Sequence, residues 1–272
     1  MEYISYSQYT SYQNCPRNWY LGKVRNAESK QTWYIPIGSA VHEAIQNYLM
    51  HPDKPNDVEW IFYQWVEKQM KIEPDTSKWM HGGSREEPII EELALKRAQD
   101  CFDNALVFLE DFEAWEIEYD VSGSLPGLSI PVKGFVDIIG EHKKYGPGIV
   151  DWKTGAQKPK DNFQLETYKA LLDHNIYETP GGVSGRDLNK GLWAMLSPNA
   201  SKARPVDLSN VSPKDVGAKY QTVVDQMEKK LYQTKHGYNC RFCFNQENCL
   251  LEAGPTKRAR YYDRSEEDGF PY

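Results

Sequence analysis

The sequence has no uninterrupted apolar run of membrane-spanning length, and its first residues, MEYISYSQYT, have neither the basic nor the apolar region of a signal peptide. We therefore expect a cytoplasmic protein with no membrane partner. The Walker A pattern, a glycine-rich loop that binds nucleoside triphosphates, is also missing from the 272 residues. Its absence excludes a helicase motor within this chain.

Positive charge is scarce, because 32 Lys and Arg stand against 39 Asp and Glu and the net charge is -7. This balance argues against nonspecific wrapping of nucleic acid, since phosphate affinity comes from clustered Lys and Arg. It does not exclude an enzyme that cuts nucleic acid. A site built from carboxylates is acidic until it binds metal, and basic residues cluster locally at Lys153, Lys158 and Lys160.

Cysteine is also scarce, but three of the five residues lie close together in the sequence: Cys240, Cys243 and Cys249. In a reducing cytoplasm such spacing indicates metal ligation rather than a disulfide. Cys15, which precedes a proline, could supply a fourth thiol and so clasp the two ends of the chain together. Four thiolates suit either zinc or a 4Fe-4S cluster, and ligand number does not choose between them.

The pattern of apolar residues predicts helices first and strands later. Residues 5–24 predict a short helix interrupted by Pro16, and helical spacing follows from Gly38, over roughly 57–71 and over about 91–112. Three β-rich runs come next, and we interpret them as an antiparallel meander: WEIEYDVSGS, LSIPVKGFVDIIGE and PGIVDWKTG. A helix, a strand and a long helix follow: NFQLETYKALLDH, KGLWAMLSP and PKDVGAKYQTVVDQMEKKL. This order predicts an α/β fold around a mixed sheet.

The stretch GFVDIIGEHKKYGPGIVDWKTG carries the chemistry. In a hairpin Asp137 would meet Asp151, which follows fourteen residues later. Alternation along a strand puts Asp151 and Lys153 on one face while Trp152 points into packing. Phosphodiester hydrolysis needs a hard divalent cation held by carboxylate oxygens, and a positive side chain that orients and helps to deprotonate the attacking water.

These residues also resemble those of a known family. Gly134-Phe-Val-Asp137 followed by Ile149-Val-Asp151-Trp-Lys153-Thr-Gly155 resembles the paired motifs of the PD-(D/E)XK nuclease superfamily. An Asp-x-Lys alone is a weak signal, because acidic and basic neighbours on a strand usually form a solvated face. The weight comes from further matches that occur in the expected order along the chain.

Those further matches point to the RecB-like branch of the superfamily. Gly38-Ser-Ala-Val-His42-Glu resembles the helical motif that supplies a histidine ligand in the RecB and AddB group, and Gln164-x-x-x-Tyr168 resembles that group's QxxxY helix. Residues 5–20, with Cys15-Pro16-Arg17, resemble the N-terminal cysteine motif of its iron-sulfur members, which include the CRISPR-associated exonucleases. The resemblance extends from residue 5 to residue 249.

The resemblance implies a fold and a domain organisation. It implies a restriction-endonuclease-like core with a mixed central sheet flanked by helices, plus a helical iron-sulfur lobe formed by both termini. The core would comprise residues 31–230, with a helical insertion at about 50–112. The lobe would comprise 1–30 and 231–253, with residues 254–272 as a polar tail. It also implies a 4Fe-4S cluster on Cys15, Cys240, Cys243 and Cys249, with zinc as the alternative.

The resemblance further implies roles for the site residues. Mn²⁺ or Mg²⁺ would be bound by one imidazole, two carboxylates and a backbone carbonyl, from His42, Asp137, Asp151 and Trp152 respectively. Lys153 would stabilise the nucleophile, and Gln164 and Tyr168 would contact DNA or position Lys153. Taken alone, His42 fits a hydrogen-bonded core histidine better than a metal ligand, and Gln164 with Tyr168 fits a surface pair. Glu118 could add a further carboxylate to the site, but we expect it to be a charge on the outer face of a strand.

We therefore predict a metal-dependent DNA exonuclease that acts on single-stranded DNA or DNA ends, in recombination, repair, phage DNA processing or CRISPR adaptation. Its partners would be DNA and a recombination, helicase or CRISPR integrase protein. The alternative is a non-catalytic DNA-binding or assembly module that retains the nuclease fold. Strand polarity, the number of catalytic metals and the oligomeric state are not predicted by the sequence.

Overall fold

The computed structural model describes residues 1–27, 29–53, 57–80, 90–175, 184–198, 202–237, 240 and 243–253. The polar tail predicted for residues 254–272 lies outside the described residues. Within the described part of the chain, no helix combines the length and the apolar character that crossing a membrane requires.

The described chain contains eight α-helices and seven strands, and apart from the short first strand the helices come first and most strands later, as the sequence predicts. In chain order the helices are α1 (Tyr6–Asn14), α2 (Pro16–Lys23), α3 (Tyr34–Met50), α4 (Val58–Met70), α5 (Glu91–Leu109), α6 (Phe163–His174), α7 (Pro213–Glu228) and α8 (Gln246–Ala253). The strands are β1 (Ile4–Ser5), β2 (Phe112–Asp120), β3 (Val132–Lys133), β4 (Phe135–His142), β5 (Gly146–Lys153), β6 (Lys190–Met195) and β7 (Lys202–Asp207).

Local sequence explains where several of these helices begin. The hydroxyl of Ser5 accepts a hydrogen bond from the backbone N–H of Gln8 and so caps α1. Pro16 is the first residue of α2, a position where its missing N–H costs nothing and where it separates α2 from α1. Asp57 and Ser212 cap α4 and α7 in the same way as Ser5 caps α1.

The central sheet is mixed, with the spatial order β2-β4-β5-β6-β7. Strands β2, β4 and β5 form the predicted antiparallel meander, β5 pairs in parallel with β6, and β7 pairs antiparallel with β6 at the edge. Parallel neighbours need a crossover connection, and α6 lies in the connection between β5 and β6. The edge strand β7 and the small parallel pair of β1 and β3 were not predicted from the sequence.

Helices cover both faces of the sheet and create two apolar cores. On one face α1, α6 and α7 pack on the sheet with Tyr12, Leu165 and Tyr220 among the buried residues. On the other face α3, α4 and α5 pack on it with Val41 and Phe62 among them. Because both faces are covered, the middle of β5 is buried without the alternation of a half-exposed strand.

Helix α6 is fixed to its surroundings by a buried lysine. Lys169 is only 2% exposed, yet its ammonium is neutralised and hydrogen-bonded. It donates to the carboxylate of Asp173 at 2.7 Å and to the backbone carbonyls of Gly185 and Arg186, each at 3.1 Å. Since a buried charge is tolerated only when it is paired, these contacts set the position of α6 against the segment that precedes β6.

Candidate active site

The site forms where β4 and β5 separate. Their pairing is regular from His142–Gly146 to Ile138–Val150 and stops there. Beyond that pair the N–H of Trp152 donates to the side chain of Asp137, with 2.7 Å between the nitrogen and Oδ2. A carboxylate therefore takes the place of a backbone acceptor, and the hairpin brings Asp137 and Asp151 to the same end of the sheet.

Three side chains from three elements converge on this point. His42 from α3, Glu118 from β2 and Asp137 from β4 each present one donor atom, and these atoms all lie within 4.8 Å of one another. The Nδ1 of His42 is 3.4 Å from Oδ1 of Asp137. The residue pairs Ile117–Ile138 and Tyr119–Val136 on either side place Glu118 across from Asp137.

Glu118 does not lie on the outer face of its strand, contrary to the expectation from the sequence. The pairing of β2 with β4 shifts between Ala114 and Glu116, and Glu118 has a positive φ of 49°. Left-handed backbone costs a residue with a side chain about 1 to 2 kcal/mol. Simple alternation therefore fails along β2. No residue type in the sequence signals this irregularity, which is why the carboxylate was assigned to solvent.

A chain of polar contacts leads from Asp151 to helix α6. The ammonium of Lys153 contacts Oδ2 of Asp151 and donates to Oε1 of Gln164 at 3.0 Å. Gln164 in turn donates through Nε2 to the hydroxyl of Tyr168 at 2.9 Å. Gln164 and Tyr168 lie one turn apart on the same face of α6. The structure thus joins Lys153 to both residues of the QxxxY helix.

The packing around Lys153 limits its movement further. Asp151 is 2% exposed, and its Oδ2 takes no hydrogen bond of ordinary geometry, so the contact with Lys153 is its main partner. The Nζ of Lys153 also lies 5.0 Å from the centroid of the Trp193 ring, a cation–π distance. The Lys153 side chain remains 29% exposed. It is held on one side and accessible to a ligand on the other.

Ionisable side chains are concentrated at this end of the sheet, and the pKa values of three of them are raised. Burial raises the pKa of Asp151 to about 7, and the charge of Asp137 adds to the rise. Burial also raises the pKa of Glu118, again with a contribution from Asp137. For His42, burial lowers the pKa, but the charge and hydrogen bond of Asp137 outweigh that effect and raise the pKa to about 9.

These observations fit a divalent cation. Two ligands on opposite sides of one ion, with bonds of about 2.1 Å, lie about 4.2 Å apart, so the three donor atoms need little movement to share an ion. Burial is the main cause of the raised pKa values of Asp151 and Glu118 and the charge of Asp137 adds to it, and a bound cation would stabilise the charged forms of these carboxylates. A donor set with one imidazole nitrogen suits Mn²⁺ better than Mg²⁺, which prefers oxygen.

Four thiols meet in a separate place, between the beginning and the end of the described chain. Burial and the neighbouring thiols Cys15, Cys240 and Cys249 raise the pKa of Cys243 to about 11. The Sγ of Cys243 contacts Oδ1 of Asn18 on α2 at 3.2 Å. Within the described residues, no three of the four sulfur atoms lie within 4.8 Å of one another.

Backbone contacts hold the two segments that carry these thiols. The N–H of Arg17 donates to the carbonyl of Gln233 at 3.3 Å, and the N–H of Lys30 donates to the carbonyl of Phe244 at 2.9 Å. The side chain of Asn245 donates to that of Asn18 at 2.9 Å. The two segments are therefore clasped, as the cysteine spacing suggested. The fifth cysteine, Cys101, is fully buried in the core beneath α5.

The first prediction concerns Glu118. Glu118→Gln keeps the shape of the side chain but removes its charge, so affinity for Mn²⁺ measured by calorimetry should fall at least about 10-fold, as is common when even a supporting group of a metal site is lost. Glu113→Gln, on an exposed position of the same strand, is the matched control and should bind normally. Equal affinities for the two variants would remove Glu118 from the ligand set.

The second prediction concerns pH. Because the folded pKa values of Asp151 and His42 are raised to about 7 and about 9, the metal-free site holds protons at neutral pH that a cation must displace. Affinity for Mn²⁺ should therefore rise as the pH increases from about 6 to about 9. Calorimetry in buffers of different ionisation enthalpy should show protons released at neutral pH. Constant affinity with no proton release would contradict the proposed site.

Comparison with known proteins shows the family to which the chain belongs. The family model described as the PD-(D/E)XK nuclease superfamily matches residues 3–249. Among solved structures, the crystal structure of SSO0001 is 12% identical, with 77% of this chain and 81% of that chain covered and a TM-score of 0.36, which is too low to carry an argument. A search of curated proteins found no match. Since the family model spans most of the sequence, and the paired motifs converge in space, the chain belongs to the PD-(D/E)XK nuclease superfamily.

Proposed function

We propose that this protein is a divalent-metal-dependent deoxyribonuclease of the RecB-like branch, acting as an exonuclease on single-stranded DNA or DNA ends. Membership of the superfamily implies a metal-dependent nuclease that acts on nucleic acid. The observation that carries the finer proposal is the joint placement of a His-Glu-Asp group and a held lysine at one end of the sheet. A site of this composition can bind a cation and a phosphate side by side.

His42, Glu118 and Asp137 would hold the cation, and Asp151 and the backbone carbonyl of Trp152 are the remaining candidate ligands. A divalent cation supplies Lewis-acid polarisation of a phosphate oxygen and makes water a nucleophile at neutral pH. Asp137 has a second task, since it accepts the N–H of Trp152 and so fixes the start of the segment that carries Lys153. These three ligands come from α3, β2 and β4, so the cation would lie between the helix and the sheet, next to the reacting phosphate.

Lys153 would place a positive charge beside the phosphate. Its ammonium has three donors, of which Asp151 and Gln164 orient two and leave one for a substrate oxygen or for the attacking water. Because the charge is held in place before substrate arrives, it needs no reorganisation as negative charge develops in the transition state. Gln164 and Tyr168 act on the reaction through Lys153 and are therefore positioning residues.

The competing proposal is a DNA-binding or assembly module that has lost catalysis. The contacts around Lys153 speak against it, because binding alone has no need of a lysine oriented between a buried carboxylate and a glutamine. The biological process is a separate proposal. Recombination, repair, phage DNA processing and CRISPR adaptation are the candidate processes, and a CRISPR integrase partner would indicate adaptation.

We also propose that the four thiols bind a 4Fe-4S cluster rather than zinc. Cys15, Cys240, Cys243 and Cys249 are neighbours in the fold, and one distant Cys-Pro with a C-terminal triplet of cysteines resembles the iron-sulfur nucleases more than the two CxxC pairs of a zinc ribbon. The role of the cluster would be structural, joining the chain ends already clasped through α2.

The third prediction tests catalysis. Lys153→Ala should reduce cleavage of a labelled linear oligonucleotide in Mn²⁺ by about 100-fold or more, the loss typical of removing one oriented charge donor. Binding of Mn²⁺ and the folded state should persist, because Lys153 is not a ligand. Lys214→Ala is the control, since Lys214 is an exposed lysine at the start of α7.

Near-normal cleavage by Lys153→Ala would overturn the mechanism, and a wild-type protein that binds DNA without cutting it would favour the binding module. The same assay on a covalently closed single-stranded circle tests the exonuclease assignment. Linear strands should be degraded while circles of the same sequence survive. Equal rates on both substrates would make the enzyme an endonuclease.

The fourth prediction tests the thiol group. Protein purified without oxygen should be brown and contain iron, and Cys243→Ser should lose the colour and part of the thermal stability. Cys101→Ala is the control, because Cys101 is buried in the core beneath α5 and should keep the iron. Colourless native protein with stoichiometric zinc would establish the zinc alternative and refute the iron-sulfur proposal.

A further inference from the structure

A second cavity adjoins the positioning residues Gln164 and Tyr168. It has a volume of about 410 Å³ and lies where the start of α1 faces the end of β3 and the start of β4. Its lining shares no residue with the larger cavity around His42. We call it the lysine pocket because Lys23 and Lys133 both line it.

The lysine pocket and the cavity around His42 have opposite charge. The cavity around His42, of about 890 Å³, is lined by the carboxylates of Glu43, Glu118 and Asp137. Among the described residues that line the lysine pocket none is acidic, and its other polar groups are mainly hydroxyls. In a protein of net charge -7, two lysines with hydroxyls and no carboxylate in the lining favour an anion, although the charge of Asp120, outside the lining, interacts with Lys133.

Aromatic rings accompany the lysines. Phe135 is 41% exposed although it begins a central strand. The Nζ of Lys133 lies 5.8 Å from the centroid of the Phe135 ring and 5.4 Å from that of Tyr3. Exposed rings beside lysines are the combination that binds single strands, because each base has a face that can stack and each nucleotide carries a phosphate.

The pocket also lies next to the proposed catalytic lysine. Gln164 and Tyr168 line it, and Gln164 hydrogen-bonds Lys153. Phe135 lies two residues before the candidate ligand Asp137. A strand whose scissile phosphate sits at Lys153 therefore passes close to the lysine pocket through Gln164.

We propose that the lysine pocket is a subsite that binds a phosphate group of the substrate strand other than the one being cut, with Lys23 and Lys133 contacting the phosphate and Phe135 stacking on a neighbouring base. This inference rests on the proposed nuclease function. The phosphate has two sources, a phosphorylated strand end or an internal phosphodiester, and both present the same anionic oxygens. The pocket gives the site a fixed orientation for the strand.

The fifth prediction tests the pocket by binding, which does not depend on cleavage. Affinity for a fluorescent single strand should be measured by anisotropy without divalent metal, over a range of salt concentrations. Lys133→Gln and Lys23→Gln should each weaken binding about 5- to 10-fold and reduce the slope of log affinity against log salt by about 0.7, the value for one lost phosphate contact on a single strand. Phe135→Ala should weaken binding without changing that slope.

Lys214→Gln is the matched control, since it removes the same charge from an exposed lysine outside the pocket. Pocket variants that behave like this control would overturn the subsite, even if the wild type cuts DNA. If the wild type never cuts, the nuclease proposal fails, while the difference in salt slope still decides the subsite.

The source of the phosphate follows from four substrates of one sequence: linear strands with a 5′-phosphate, a 5′-hydroxyl or a 3′-phosphate, and a closed circle. A terminal phosphate in the pocket would give tighter binding of one phosphorylated strand, and Lys133→Gln would abolish that preference. An internal phosphate would make Lys133→Gln weaken binding of all four equally. Both results support the subsite, and a loss no larger than that of Lys214→Gln on every substrate contradicts it.

Discussion

The hydrogen bond from the N–H of Trp152 to the carboxylate of Asp137 is the contact on which the site depends. It replaces a backbone acceptor at the point where β4 and β5 separate, so the two strands part without leaving a buried donor unpaired. That separation exposes Asp137 to His42 and Glu118, and it sends Lys153 toward α6. The free-energy cost of separating the strands is thus offset by the side chain of Asp137, which is also a candidate metal ligand.

The second constraint is electrostatic. Asp137, Asp151 and Glu118 crowd one end of the sheet, and the pKa of Asp151 and of Glu118 rises as a result of burial and mutual repulsion. Lys153 offsets part of this charge and His42 another part. The remaining negative charge favours a cation in this region, while the lysine pocket beside Gln164 favours an anion. The proposed sites for cation and strand therefore differ in charge and share no lining residue.

Much of the fold was predictable because apolar spacing and turn residues specify it locally. The meander of β2, β4 and β5, the crossover helix α6 and the break before Pro16 all follow from short stretches of sequence. The proximity of Asp137 to Asp151 followed from a hairpin. Glu118 was misplaced because a shifted pairing leaves no signature in residue types, and the lysine pocket was missed because Lys23 and Lys133 are far apart in the chain.

The left-handed backbone at Glu118 lowers folding stability at a position whose side chain is a candidate cation ligand. A residue with a side chain is strained at a φ of 49°, and glycine there would relieve about 1 to 2 kcal/mol of that strain but remove a carboxylate from the cation site. Selection for a more stable metal-free protein and selection for cation binding thus favour different residues at one position. Directed evolution for thermostability alone should enrich glycine at this position and weaken the proposed cation binding.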